Sequence, residues 1–168
     1  MPHNEHTDKA KDIGKVVCHV LTVSDTRTPE TDESGQLARD LLTGAGFHVA
    51  SCEILRNDTF IVREKVELLL EQKPDLILLS GGTGIGRRDV SVEAVMPLLD
   101  KTLDGFGELF RWLSYQEIGS GAIMTRALMG VGSGTAVALL PGSPAAVRLA
   151  LEKLIIPELK HILWEVRR

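Results

Sequence analysis

"PDLILLSGGTGIGRRDV", residues 74–90, passes abruptly from apolar side chains to nearly bare backbone and then to charge. Leu76 to Leu79 are apolar at consecutive positions, the pattern of a strand covered on both faces. Such strands belong to parallel sheets with helices on either side, so this stretch predicts an α/β chain. The second half brings Gly81, Gly82, Thr83, Gly84 and Gly86 together, with Arg87, Arg88 and Asp89 directly behind. Where a buried strand ends and a helix begins, backbone N–H groups and the helix dipole favour an anion.

The flanking sequence repeats the alternation. "KVVCHVLTV" (15–23) is a β-branched strand that ends in the polar loop "SDTRTPETDESG" (24–35). "QLARDLLTGAGF" (36–47) has Leu37, Leu41 and Leu42 at helical spacing, with Gly44 and Gly46 as stop signals. A second strand, "HVASCEIL" (48–55), and a second helix, "TFIVREKVELLLEQK" (59–73), precede the quoted stretch. Strand and helix in turn predict a three-layer α/β/α fold around a mostly parallel, doubly wound sheet. Beyond the glycines, a short helix over 91–100 is interrupted by Pro97, and a longer one covers 104–119. A strand over 135–142 leads to a closing helix over 143–168, which Pro157 is expected to split. The chain divides into a polar tail, residues 1–14, and one domain, residues 15–168.

Two familiar phosphate loops fail against the glycine segment. The dinucleotide fingerprint needs Gly-x-Gly-x-x-Gly on the first strand, and Gly86 comes one residue too early. The nucleoside-triphosphatase loop needs Lys and then Ser or Thr after Gly86, where Arg87 and Arg88 stand. A plain connecting turn would use the glycines but gives no reason for the arginines and acid beside them.

Composition narrows the partners. A net charge of -4 and a pI near 5.7 leave no basic stripe for nucleic acid. No histidine pair has a ligand spacing, and Cys18 and Cys52 stand far apart in apolar stretches, which predicts two small buried hydrophobes. No apolar run reaches the length of a membrane span, so a cytoplasmic protein is expected.

Acids stand near three strand ends: Asp25 behind Ser24, Asp58 behind Asn57, and Asp89. Together they could hold a hydrated Mg²⁺ against phosphate oxygens. Asp58 could equally cap the following helix, and Asp25 could serve only its loop. Ser91 is available as the cap of the helix after the glycines, which would leave Asp89 free.

As a set, "LTVSDTR" with "DESG", "SGGTGIGRRDV", "GFGELFRWLS" with "QEIG", and "LPGSPAAV" resemble the MoaB/Mog family of molybdenum cofactor biosynthesis proteins, more closely its B-type branch. They occur in the family's order from about residue 15 to residue 160. The resemblance implies a molybdopterin-binding fold that assembles as a trimer or as a hexamer of two trimers. It also implies adenylylation: the terminal phosphate of molybdopterin attacks the α-phosphate of ATP in the presence of Mg²⁺, and pyrophosphate leaves. Asp58 and Asp89 then correspond to the catalytic and metal-holding acids. Ser24, Asp25, Gly81, Gly82, Thr83, Gly84, Thr125, Pro141, Gly142 and Ser143 correspond to the binding residues. Arg87 or Arg88 could offset the charge of the ATP phosphates, and the pathway's molybdenum-insertion protein is an implied partner. Thr125-Arg126 replaces the family's common Ser-Arg, and "ILRND" replaces its Pro-Asp-Glu or Pro-Asp-Asp. A protein that binds or carries the pterin without catalysis is the alternative.

In "GFGELFRWLSYQ" (105–116), Phe106, Leu109, Phe110 and Leu113 form an apolar stripe that Trp112 and Tyr115 widen. The aromatics predict a subunit interface, with core packing as the competing explanation.

Overall fold

The computed structural model describes residues 13–168. Its strands are β1 (Val17–Val23), β2 (His48–Leu55), β3 (Leu76–Ser80), β4 (Lys101–Thr102), β5 (Leu128–Gly132) and β6 (Thr135–Leu140). Its α-helices are α1 (Glu33–Gly44), α2 (Thr59–Glu71), α3 (Ser91–Val95), α4 (Asp104–Ile118), α5 (Pro144–Ala150) and α6 (Ile156–Arg167). The strands form one sheet in the order β2-β1-β3-β6-β5-β4. β2, β1, β3 and β6 run parallel, and β5 and β4 are antiparallel to their neighbours.

The consecutive apolar residues of β3 divide between two cores. Leu76 and Leu78 join Cys18, Val20, Ala138 and Leu140 under α1, α4, α5 and α6. Ile77 and Leu79 join Leu21, Val23, Val137 and Leu139 under α2 and α3. This is the three-layer α/β/α arrangement predicted from the sequence. The chain leaves β1 toward β2 on one side, and β3 returns on the other side of β1. That order reversal opens the crevice at the C-terminal ends of β1 and β3.

Several expectations are corrected. Antiparallel β5 carries no sequence signal, because Gly130 and Gly132 replace the side chains that mark a strand, and β4 is only two residues long. A Cβ at Gly130 would come 2.5 Å from the Lys101 carbonyl oxygen, and one at Gly132 equally close to that of Leu98. Neighbouring backbone thus passes where side chains would stand. Pro157 does not split the closing helix. A π turn, Leu151–Ile155, joins α5 to α6, and Pro157 falls in the first turn of α6. Lys153, whose carbonyl the proline ring would otherwise meet, lies inside that turn. Cys18 is buried, and burial pushes its thiol up to about 12, but Cys52 on edge strand β2 is exposed.

The apolar stripe of α4 divides. Phe106 and Phe110 are core residues with their rings stacked, whereas Leu109, Trp112 and Tyr115 are exposed. Residues 1–12 of the expected tail lie outside the described residues, and Ile13 packs against the core. Among the described residues no helix is long and apolar enough to cross a membrane.

Candidate functional site

β3 delivers the chain into the glycine segment at the base of the crevice. Gly81 and Gly82 adopt φ of 96° and 69°, a region that glycine enters without strain. Space restricts the segment further: a Cβ at Gly81 would lie 2.3 Å from the Val23 carbonyl oxygen, and one at Gly82 2.4 Å from Ser91 Oγ. The loop is pinned from both ends. Gly81 N–H donates to the Leu140 carbonyl at 2.9 Å. Buried Ser91 donates through Oγ to the Gly81 carbonyl at 2.7 Å, while its own N–H bonds that of Gly82 at 3.0 Å. Ser91 therefore anchors the loop rather than capping α3, whose start has no side-chain cap.

Asp89 is not free of the loop either. Its Oδ2 accepts the Gly86 N–H at 2.8 Å, closing the turn that Gly84 and Gly86 form around it. By contrast, the N–H groups of Gly82, Thr83, Gly84 and Ile85 meet no acceptor among the described residues. A run of free amides on a turn is an anion-binding concavity.

Gly82, Thr83, Gly84 and Asp89 line one wall of a cavity of about 320 Å³. Thr125 and the segment Pro141, Gly142 and Ser143 also line it, and Phe110, Ile118 and Met124 supply apolar side chains. Gly142 packs against Gly81, 3.3 Å from a would-be Cβ to its Cα, and its carbonyl accepts the Ser34 hydroxyl at 2.6 Å. Ser143 caps α5 by accepting the Ala146 N–H. The sequence expectation thus brings eight of its residues to one cavity.

The others gather outside it. Ser24 Oγ accepts the N–H groups of Thr26 and Arg27 in its own loop. Asp25 accepts the Asn57 N–H at 3.0 Å and lies 3.5 Å from Arg88. The Asn57 N–H holds the Asp25 carboxyl below its usual range, and the Arg88 charge adds to the effect. Asn57 in turn approaches Gly82, so this cluster backs the outer side of the loop. Asp58 caps α2, its Oδ1 accepting from Phe60 at 2.8 Å and Ile61 at 3.0 Å. Arg87 and Arg88 are exposed.

Asp58 Oδ2 and Asp89 Oδ1 find no hydrogen-bond donor among the described residues. No cluster of three or more His, Cys, Asp or Glu that could enclose a metal occurs among those residues. Mg²⁺ commonly takes one or two carboxylates and completes its shell with water and substrate phosphates. Asp89, in the cavity wall, and Asp58, at the start of α2, each keep one carboxylate oxygen available for such a role.

The sequence reading named Arg126 only within the Thr125-Arg126 pair and gave it no role. Its backbone N–H donates to the Thr83 carbonyl at 3.0 Å, and its guanidinium donates to the carbonyls of Gly84 at 2.9 Å and Asp89 at 3.4 Å. The same guanidinium pairs with Glu93 on α3. That hydrogen bond holds the Glu93 carboxyl below its usual range. All these partners are backbone atoms or an acid more than 30 residues away, so no local pattern announces them.

A family profile described as "Probable molybdopterin binding domain" matches residues 19–161. The molybdenum cofactor biosynthesis protein B of Bacillus subtilis is 51% identical over the whole of this chain and 99% of its own. The crystal structure of a protein with that name superposes with a TM-score of 0.88 at 50% identity, over 92% of this chain and 98% of the other. The tungsten cofactor synthesizing protein MoaB from Pyrococcus furiosus superposes at 0.83 with 35% identity, over 93% and 99%. Family profile, sequence identity and superposition agree, and the chain belongs to the MoaB/Mog family of molybdenum cofactor biosynthesis proteins.

Proposed function

We propose that this chain binds molybdopterin through its terminal phosphate and adenylylates it with Mg-ATP. The observation that carries the reading is the run of free amides from Gly82 to Ile85, beside a cavity that Phe110, Ile118 and Met124 also line. Backbone donors suit the phosphate, and these apolar side chains suit a planar heterocycle. In the reaction, a phosphate oxygen of the pterin attacks the α-phosphorus of ATP. The bond from that phosphorus to the bridging oxygen of the β-phosphate breaks, and pyrophosphate leaves with the bond's electron pair. Phosphoryl-type transfer asks the protein for position and charge compensation, so no nucleophilic side chain is needed. Asp58 and Asp89 would hold the Mg²⁺, which supplies charge neutralisation at the phosphates. Arg87 and Arg88, exposed at the outer rim, would meet the nucleotide phosphates.

A second reading, a non-catalytic pterin carrier, is favoured by one observation: Asp58 caps α2 and does not line the cavity. Incubation with molybdopterin and Mg-ATP separates the two. Release of one pyrophosphate per pterin supports adenylylation, and binding without release supports the carrier.

A further inference from the structure

Arg126 touches the glycine loop at more points than any other side chain described above, although it does not line the cavity. Its contacts have a geometric consequence. In a trans peptide the C=O and the following N–H point in opposite directions. Drawing the Thr83 carbonyl to the Arg126 N–H therefore turns the Gly84 N–H away from Arg126. Drawing the Gly84 carbonyl to the guanidinium turns the Ile85 N–H away in the same manner. These are two of the four amides that have no acceptor among the described residues. A chain this rich in glycine does not hold such peptide planes through its own backbone preferences. Glu93 fixes the guanidinium from the opposite direction, through both of its carboxylate oxygens.

We propose that Arg126 is a positioning residue that orients the peptide planes of Thr83-Gly84 and Gly84-Ile85, so that their N–H groups remain presented to an anionic ligand. The assignment deepens the phosphate-binding reading above and rests on it for the ligand class. Glu93 is its orienting partner. A planar guanidinium is required because it directs several donors at fixed angles, to the Gly84 and Asp89 carbonyls and to Glu93 together. An ammonium concentrates its charge at one point and cannot reproduce that fork.

The test compares the wild type with Arg126→Ala, Arg126→Lys and the exchanged pair Arg126→Glu with Glu93→Arg. Amide hydrogen exchange at Gly86, Asp89 and Ser91 reads the loop in the free protein. Calorimetry with inorganic pyrophosphate reads its affinity for an anion. Positioning requires at least tenfold faster exchange at those amides and at least tenfold weaker pyrophosphate binding in both single variants. The exchanged pair should not recover either property, because a glutamate at 126 cannot donate to the Gly84 carbonyl. Recovery in the exchanged pair overturns the proposal and reduces Arg126 to a salt-bridge partner. Wild-type exchange in Arg126→Lys overturns it too, and that variant decides the matter should Arg126→Ala fail to fold. If the wild type binds no pyrophosphate while the variants exchange faster, the anion-binding reading falls and the positioning role stands.

Discussion

On the inner flank of the glycine loop, the N–H groups of Gly82 to Ile85 meet no acceptor among the described residues, and Gly82, Thr83 and Gly84 border an open, partly apolar cavity. On the outer flank, Asp25, Asn57 and Arg88 have largely found one another, and Asp58 holds the start of α2. The first region recognises through backbone, so a charge change should disturb it little and an added Cβ should disturb it greatly. The second acts through side-chain charge in open solvent, so neutralising substitutions and salt should affect it most.

The sharpest way to break this contrast is Gly82→Val. The added side chain meets positive φ and the Ser91 hydroxyl together, and strain of this kind costs about 1–3 kcal/mol before any ligand is considered. We expect calorimetry to detect no pyrophosphate binding. The control is Gly105→Ala on α4, where a Cβ meets nothing within 4 Å and binding should be unchanged. Wild-type affinity in Gly82→Val would return the loop to a connecting turn.

Next in size are the acids. Asp89→Ala should lower pyrophosphate release from molybdopterin and Mg-ATP by about 10²-fold, the scale on which loss of a charge-stabilising group acts. Asp58→Asn should cost a similar factor with no loss of melting temperature, because asparagine caps a helix as well as aspartate does. The pairing of the two readouts matters. If Asp58→Asn retains full turnover, Asp58 is a cap alone.

These contrasts also indicate which features the sequence exposed. The β1-α1-β2-α2-β3 alternation was legible because each element carries its own periodicity. The loop was legible because four glycines within six positions, followed by two arginines and an acid, mark it in the sequence itself. What stayed hidden depends on partners far along the chain. Arg126 works through carbonyls 42 and 37 residues away. Ser91 looked like a cap and is a loop anchor, since the Gly81 carbonyl ten residues earlier lies within reach. β5 was invisible because close backbone contact put glycine where a strand signal would stand. In α4, spacing marked the apolar residues but could not sort Phe110, 1% exposed, from Trp112, 58% exposed.

That division of α4 supplies a smaller test. Leu109, Trp112 and Tyr115 form an exposed apolar face, and we propose that it joins copies of the chain into a closed trimer or a pair of trimers. Trp112→Glu should reduce the sedimenting mass at micromolar concentration while leaving the circular dichroism unchanged. Phe110→Glu should unfold the subunit instead, because it would place a carboxylate in the core. A wild-type chain that sediments as a monomer removes the interface.

The smallest expected effect lies under the outer flank, in the first half of β1. His19 is buried, and its Nδ1 sits 2.7 Å from Ser51 Oγ on β2. Burial lowers its pKa from the ordinary 6.5; Glu53 on β2 opposes that shift and Lys65 on α2 reinforces it. The unfolded chain therefore takes up a proton here at a pH where the folded chain does not. The linkage sign follows: the stabilisation is complete above about pH 6.5 and is lost progressively as pH falls toward the lowered folded value. The exposed acids with lowered values, Asp25 and Glu93 among them, begin to matter only near their ordinary values of 3.8 and 4.5. Between pH 7.5 and 5.5 the melting temperature should thus decline modestly, by roughly 2–4 °C for each kcal/mol of linkage. His19→Gln, which cannot titrate, should flatten the decline, and an equal decline in that variant would assign the pH dependence to another group.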